Sequence, residues 1–311
     1  MKRNIIKILT ITVTFHPDCN NLTRQLQNLQ KVSKEFSLTS IIVDNGSDEN
    51  EIINIKKIVN TFSRLDIVFL KENIGLSAAQ NVGIKYAKNN NFSHILLMDQ
   101  DSLPAENMVK QLVKSWNKLS KKNLYLAAVG PNYKDLALDN PVDFVRLKGF
   151  GIYRVPYIDG INEVRVDYLI ASGSLISLSA IECVGDMRSD LFIDYIDIEW
   201  GLRAKRLGWL IYGIFDAKMS HSLGDKVISI FGRRIPLHDP IRNYFAVRNS
   251  LVLLKDKSLP ITWRYPNILK LPVRLMLYII FGDRKVYRLK MILYGIVDAF
   301  RFKMGKPAWL K

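Results

Sequence analysis

The sequence predicts an α/β fold, a mainly parallel sheet flanked by helices. Three observations carry that prediction. Short β-branched apolar runs alternate with helix-period segments through the first 130 residues or so. Carboxylates and turn residues cluster where the apolar runs end, as expected at the carboxyl edge of such a sheet. The 311 residues, 48% hydrophobic and 24% charged, can bury a large core and are not composed like a disordered chain.

The first strand is read at 8–15, ILTITVTF. The basic, apolar N-terminus has some likeness to a signal peptide, but Lys7 interrupts it and no small-residue cleavage site follows. A helix is expected at 20–36, a strand at 40–44, a helix at 49–62 and a strand at 66–70. The next helix, 76–89, has Ala78, Val82 and Ala87 near one face. A strand at 94–99 leads to a helix at 104–119, with Pro104 in its first turn, and to a strand at 124–129.

The second strand ends at Asp44 in IIVDNGSDE, and the fourth at Asp99 and Asp101 in HILLMDQDS. Alternate residues of an extended segment share a face, so Asp99 and Asp101 can converge on one cation. Adjacent carboxylates repel unless a cation lies between them, and Mg²⁺ or Mn²⁺ suits such hard ligands. Taken alone, Asp44 also reads as a turn or N-cap residue, and D-x-D as an ordinary surface string. No G-x-G-x-x-G follows the first strand and no phosphate-binding P-loop occurs, which argues against a dinucleotide fold and a P-loop enzyme. Cys19 and Cys183 lack metal-ligand spacing, which excludes a disulfide scaffold and a structural zinc site and favours a reducing cytoplasm.

TVTFHPD, IIVDNGSDE, NIGLSAAQNVGI, MDQDS, LIASGSLIS, FIDYIDIEWGLRAKRLG, SHSLGD and YFAVRN, in that order, resemble the inverting family 2 glycosyltransferases of the GT-A fold. They look most like bacterial rhamnosyltransferases of O-antigen and related surface polysaccharides. The likeness covers residues 5–255. It implies a catalytic domain at 1–255, with a nucleotide-binding half to about 130 and an acceptor half at 131–255. It also implies a nucleotide-sugar donor, expected to be dTDP-rhamnose, and a lipid-diphosphate-linked saccharide acceptor. Thr14, Phe15, Asp44, Asn73, Gly75, Asn81, Asp99 and Arg248 match the donor site. Asp101, with Asp99 and His221, matches the metal site. Asp197 matches the general base, with Asp194 as second choice. Asp194, Glu199 and Trp200 are expected on the acceptor side. Where many relatives have Glu-Asp, this chain has Ile196 and Asp197. Residue by residue, plainer roles stay open: helix start for Asn73 and Gly75, core for Trp200, a structural histidine for His221, a solvated helix face for Arg248.

The net charge is +16, of which +13 falls in residues 221–311. The segment 266–300 interleaves Lys270, Arg274, Arg284, Lys285, Arg288 and Lys290 with apolar and aromatic residues. Region 256–311 therefore reads as basic amphipathic helices, expected to hold the enzyme peripherally on the anionic inner leaflet of the bacterial plasma membrane. A helical pair packed on the catalytic domain is the other reading. Uncharged runs are too short to span a bilayer. Three further classes compete. A UDP-sugar transferase would share the fold. A nucleotidyltransferase would need a Gly-rich phosphate loop near the N-terminus, and TVTFHPD is not one. Nucleic-acid binding is disfavoured, because the cations sit among Leu, Ile and Tyr and no nucleic-acid motif is present.

Overall fold

The computed structural model describes residues 6–33, 36–135, 140–149, 151–221, 226–230 and 233–310. The chain begins with β1 (Lys7–Thr14), α1 (Cys19–Ser33), β2 (Ser37–Asp44), α2 (Glu49–Val59), β3 (Leu65–Phe69), α3 (Leu76–Asn89) and β4 (His94–Asp99). β1 runs parallel to β2 and β4, and β2 parallel to β3. Val13 of β1 pairs with Asp99 and Thr14 with Asp44, so both carboxylate-bearing strand ends finish on one edge. β1, β2 and β4 are buried along nearly their whole length, which explains their strings of apolar and β-branched residues, whereas β3 at the sheet edge is only partly buried.

Next come β5 (Leu103–Pro104), α4 (Met108–Ser120), β6 (Leu126–Asp135), β7 (Asn140–Pro141), β8 (Phe144–Lys148), β9 (Gly151–Val155), β10 (Glu163–Val166) and β11 (Leu175–Ser177). Then follow α5 (Leu178–Val184), α6 (Ile196–Arg206), β12 (Leu210–His221), β13 (Lys226–Ile230) and β14 (Arg233–Leu237). The helices α7 (Pro240–Lys255), α8 (Ile261–Phe281) and α9 (Lys285–Phe300) close the chain.

Pro104 does not start a helix. It lies in β5 opposite Met219 of β12, and α4 begins four residues later. Edge pairing tolerates a residue without an N–H, and this short pair ties the D-x-D loop to β12. The strand expected at 124–129 is not a further parallel neighbour of β4. The antiparallel β11 lies between β4 and β6, and β12 then joins β6 in parallel. The long β12 delivers His221 to the same edge as Asp99.

α7 is mostly buried, and α9 packs along it. Gly295 permits the contact, since a Cβ there would lie 2.6 Å from the Tyr244 carbonyl oxygen. Among the described residues no helix is long and apolar enough to cross a membrane. Residues 222–225 of the SHSLGD motif lie outside the described residues.

Candidate active site

A pocket of about 320 Å³ opens at the carboxyl edge of β1, β2 and β4. Phe15, Asn45, Asn73, Asp99, Asp101 and Arg242 are among its walls. The loop before α3 is built by side-chain amides. Asn45 donates to Asn73 Oδ1 at 3.0 Å and accepts from the Ile74 N–H at 3.0 Å, and the Gly75 N–H donates to Asn73 Oδ1 at 3.0 Å. Gly75 has φ +93°, and a Cβ there would meet the Phe192 ring at 2.6 Å and its Cα at 2.9 Å. Both backbone angle and space therefore demand glycine.

Asp44 is fully buried. Its Oδ1 accepts from Thr14 Oγ1 at 2.9 Å and Ser47 Oγ at 2.6 Å, and its Oδ2 from the Ser47 N–H at 3.0 Å. Thr14 and Asp44, expected to contact the nucleotide, thus shape the turn beneath the pocket rather than line it. Phe15, exposed at the rim, is clamped by Gln100, which accepts from its N–H at 2.8 Å and donates to its carbonyl at 3.1 Å.

Asp99, Asp101 and His221 each offer a ligand atom within 4.8 Å of the others. His221 Nε2 lies 3.9 Å from Asp99 Oδ2, and Nδ1 lies 3.4 Å from Asp101 Oδ1 and 2.7 Å from Ser102 Oγ. Ser172 links Ser102, at 2.7 Å, to the Asp99 N–H, at 3.1 Å. Gln25 donates to the carbonyls of Asp99 and Ser102, both at 2.7 Å, holding the D-x-D loop from α1. Burial pushes the Asp99 carboxyl up; His221 pulls it down, Asp101 raises it and Arg242 lowers it. Two hard carboxylates and an imidazole with a fixed outer partner fit Mg²⁺ or Mn²⁺.

A second cleft, about 750 Å³, lies between the start of α6 and α8. It shares His238 with the first pocket. Asp194 on its wall accepts from Arg242, a wall of the first pocket, at 2.9 and 3.1 Å. Asp197, in the first turn of α6, also lines it. Phe192, Asp194 and Tyr195 all have φ near +66°, a strained path that turns the chain into α6. Burial raises the Asp197 carboxyl to about 6, opposed by hydrogen bonds such as that from the Ile198 N–H at 2.8 Å and assisted by the charge of Asp99.

Residues 10–172 match the profile described as Glycosyl transferase family 2, about half of the chain. The chain belongs to that family. This glycosyltransferase is 29% identical over 295 residues to the dTDP-rhamnosyl transferase RfbF of Shigella flexneri, covering 94% of this chain and 95% of that protein. Its fold is similar to that of the mannosyltransferase PcManGT from Pyrobaculum calidifontis, solved in complex with GDP-Man and Mn²⁺. The TM-score is 0.61 at 13% identity, over 97% of this chain and 89% of that one. GalNAc-T7, solved with UDP, GalNAc and Mn²⁺, gives a TM-score of 0.61 at 13% identity, over 97% of this chain and 59% of that one. The fold is that of the GT-A glycosyltransferases.

Several residues matched to the glycosyltransferase site lie elsewhere. Arg248 is fully buried in α7, donating to the carbonyls of Leu191 at 3.1 Å and Gly305 at 2.6 Å and lying over the Tyr244 and Phe245 rings. It lines neither pocket and is sealed from solvent, because it ties together three chain segments. Asn81 bridges α3 to Met187 and Ser189. Glu199 is buried in a pair with Arg203 at 3.0 Å. Trp200 is core, 3% exposed, its indole N–H donating to the Gly185 carbonyl at 2.9 Å, and its ring does not face the large cleft. Sequence reasoning missed Asn45, Gln100, Ser102 and Ser172, which sit inside the recognised motifs. It also missed His238 and Arg242, whose only linear signal is HDPIRN ahead of α7.

Proposed function

We propose that this family 2 glycosyltransferase moves L-rhamnose, with inversion, from dTDP-β-L-rhamnose to a lipid-diphosphate-linked saccharide in surface-polysaccharide or O-antigen assembly. The donor sugar rests on the rhamnosyl transferase of similar length. The observation that carries the mechanism is the meeting of two clefts. The Asp99, Asp101 and His221 group faces the smaller, Asp197 the larger, and the Asp194–Arg242 pair spans their boundary.

Asp99, Asp101 and His221 would hold Mg²⁺ or Mn²⁺, which when bound neutralises charge on the departing diphosphate. Asp197 accepts the acceptor hydroxyl proton while that oxygen attacks the anomeric carbon and the bond to the diphosphate oxygen breaks. The attacking oxygen bonds opposite the leaving group, so one displacement inverts the centre and no enzyme nucleophile is needed. Asp197 suits the base because burial brings it close to working pH. Asp194 remains the second choice: its Oδ1 accepts both hydrogen bonds from Arg242, and only its buried Oδ2 is left to take a proton. Arg242 and Asn73 would orient the donor.

The enzyme would work peripherally at the cytoplasmic leaflet. This is supported by exposed apolar side chains on α8 and α9, among them Val273, Met276, Ile280, Leu293 and Val297, with Lys285, Lys290, Arg301 and Lys303 alongside.

Incubation with dTDP-rhamnose, UDP-sugars and GDP-sugars in Mn²⁺ or Mg²⁺ tests the reading. Slow release of dTDP, abolished by EDTA, is expected. Release only from a UDP- or GDP-sugar would overturn the donor, and full rate in EDTA would overturn the metal.

A further inference from the structure

The large cleft beside Asp197 holds more positive charge than its own acids balance. Arg154 of β9 and Lys270 and Arg274 of α8 line it. Among the described residues none of the three forms a salt bridge. Arg154 reaches only the Asp143 carbonyl, at 3.4 Å, and Arg274 the Tyr195 hydroxyl, at 2.5 Å, while Lys270 has no side-chain partner. Of the two acids in the cleft, Asp194 gives one oxygen to Arg242 and its charge also acts on Arg274, and Asp197 is the carboxylate whose proton affinity burial raises, so two carboxylates stand against three cations and Arg242. Lys270 and Arg274 stand one helical turn apart, a like-charge spacing that disfavours the helix. Desolvating Arg274 adds to that cost. A sugar hydroxyl needs only neutral hydrogen-bond partners. Converging, unpaired cations match an oxyanion.

We propose that Arg154, Lys270 and Arg274 form a phosphate subsite that grips the diphosphate joining the acceptor saccharide to its carrier. The inference rests on reading this cleft as the acceptor site. It sets the reacting hydroxyl at Asp197 by holding the far end of the acceptor. α8 supplies two of the three cations and presents Leu269, Val273, Met276 and Ile280 outward, so a hydrocarbon chain leaving the diphosphate meets an apolar helix surface.

The test uses the full chain in EDTA, with decyl diphosphate as probe and binding followed by calorimetry. Decyl diphosphate should bind more tightly than decyl maltoside or decyl glucuronide, be displaced by inorganic pyrophosphate, and weaken as salt rises. Lys270→Gln and Arg154→Gln, both at exposed positions, should each weaken binding about fivefold, and the pair about 20-fold. Lys31→Gln, on the far helix α1, should leave it unchanged. Arg274→Gln is read beside its melting temperature, since it also releases Tyr195. Equal affinity for decyl maltoside, indifference to Lys270→Gln and Arg154→Gln, or displacement by dTDP would overturn the subsite. Tighter binding of the glucuronide would assign the cations to an acidic sugar and overturn it too. The dTDP-dependent melting shift of the unaltered protein in Mn²⁺ tests the donor reading separately, so the two failures are distinguishable.

Discussion

Asp197 lies where chemistry and stability oppose each other. Its carboxyl titrates at about 6 in the fold against 3.8 for the free group, so the native state holds its proton more tightly. Its contribution to stability is therefore fully present below pH 3.8 and lost as pH rises through about 6. Asp197→Asn should raise the melting temperature at pH 8 and leave it unchanged at pH 3.5, which a pair of melting curves decides. The same change should lower transfer by about 10²–10⁴-fold with donor affinity retained. In the unaltered enzyme, transfer should climb through pH 6 as the base ionises. If Asp194→Asn were the variant that lost transfer with donor affinity intact, the base would be Asp194. Asp101→Ala should remove the divalent requirement together with turnover, while melting without metal stays near the parent value.

At the scale of elements, the strained entry to α6 is held from three sides. Arg248 and Asn249 of α7 donate to carbonyls of the 190–194 segment. Asn81 of α3 holds residues 187–189, and Gly75 packs against Phe192. Arg248→Met should cost about 1–3 kcal/mol in denaturant unfolding, because it orphans the partly buried Gly305 carbonyl while Asn249 still holds that of Leu191. A wild-type midpoint for that variant would show the network to be redundant. Gly75→Ala should cost about 1–3 kcal/mol, since the new methyl meets the Phe192 backbone at an unfavourable φ.

For the molecule as a whole, α9 ties the basic region to the catalytic core instead of leaving it as an appendage. Arg288, expected to face lipid, is 2% exposed and donates to the His238 carbonyl at 2.8 Å, fixing the loop that walls both pockets. Arg284 is drawn to Asp239 at 2.6 Å. Among the described residues of α9 and the segment just after it, the exposed cations without a salt bridge are Lys285, Lys290, Arg301 and Lys303. Replacing these four with Gln should lower partitioning onto anionic vesicles, at about 1 kcal/mol per charge near the surface. Parent binding should fall steeply by 1 M salt, where the Debye length is about 3 Å. Vesicle flotation that is equal for neutral and anionic lipid would remove the electrostatic part of this reading.

The sequence by itself determined the alternating elements and the edge on which chemistry collects, and it singled out Asp99, Asp101 and Asp197 as candidates there. Those features are local: β-branched runs report burial on both faces, and polar residues at strand ends report the edge of a sheet. It did not reveal that β11 enters antiparallel between β4 and β6, because strand partners are chosen by packing across distant segments. Nor could it tell which of the matched polar residues meet solvent. Asp44, Arg248, Glu199 and Arg288 look like ligand-binding groups in a linear reading. The tertiary structure gives each a buried partner, since an ionised group removed from water must be matched by donors or acceptors that only the fold brings near. By the same rule Arg154, Lys270 and Arg274, scattered over 121 positions of the chain, become one cationic wall only when α8 folds back beside β9.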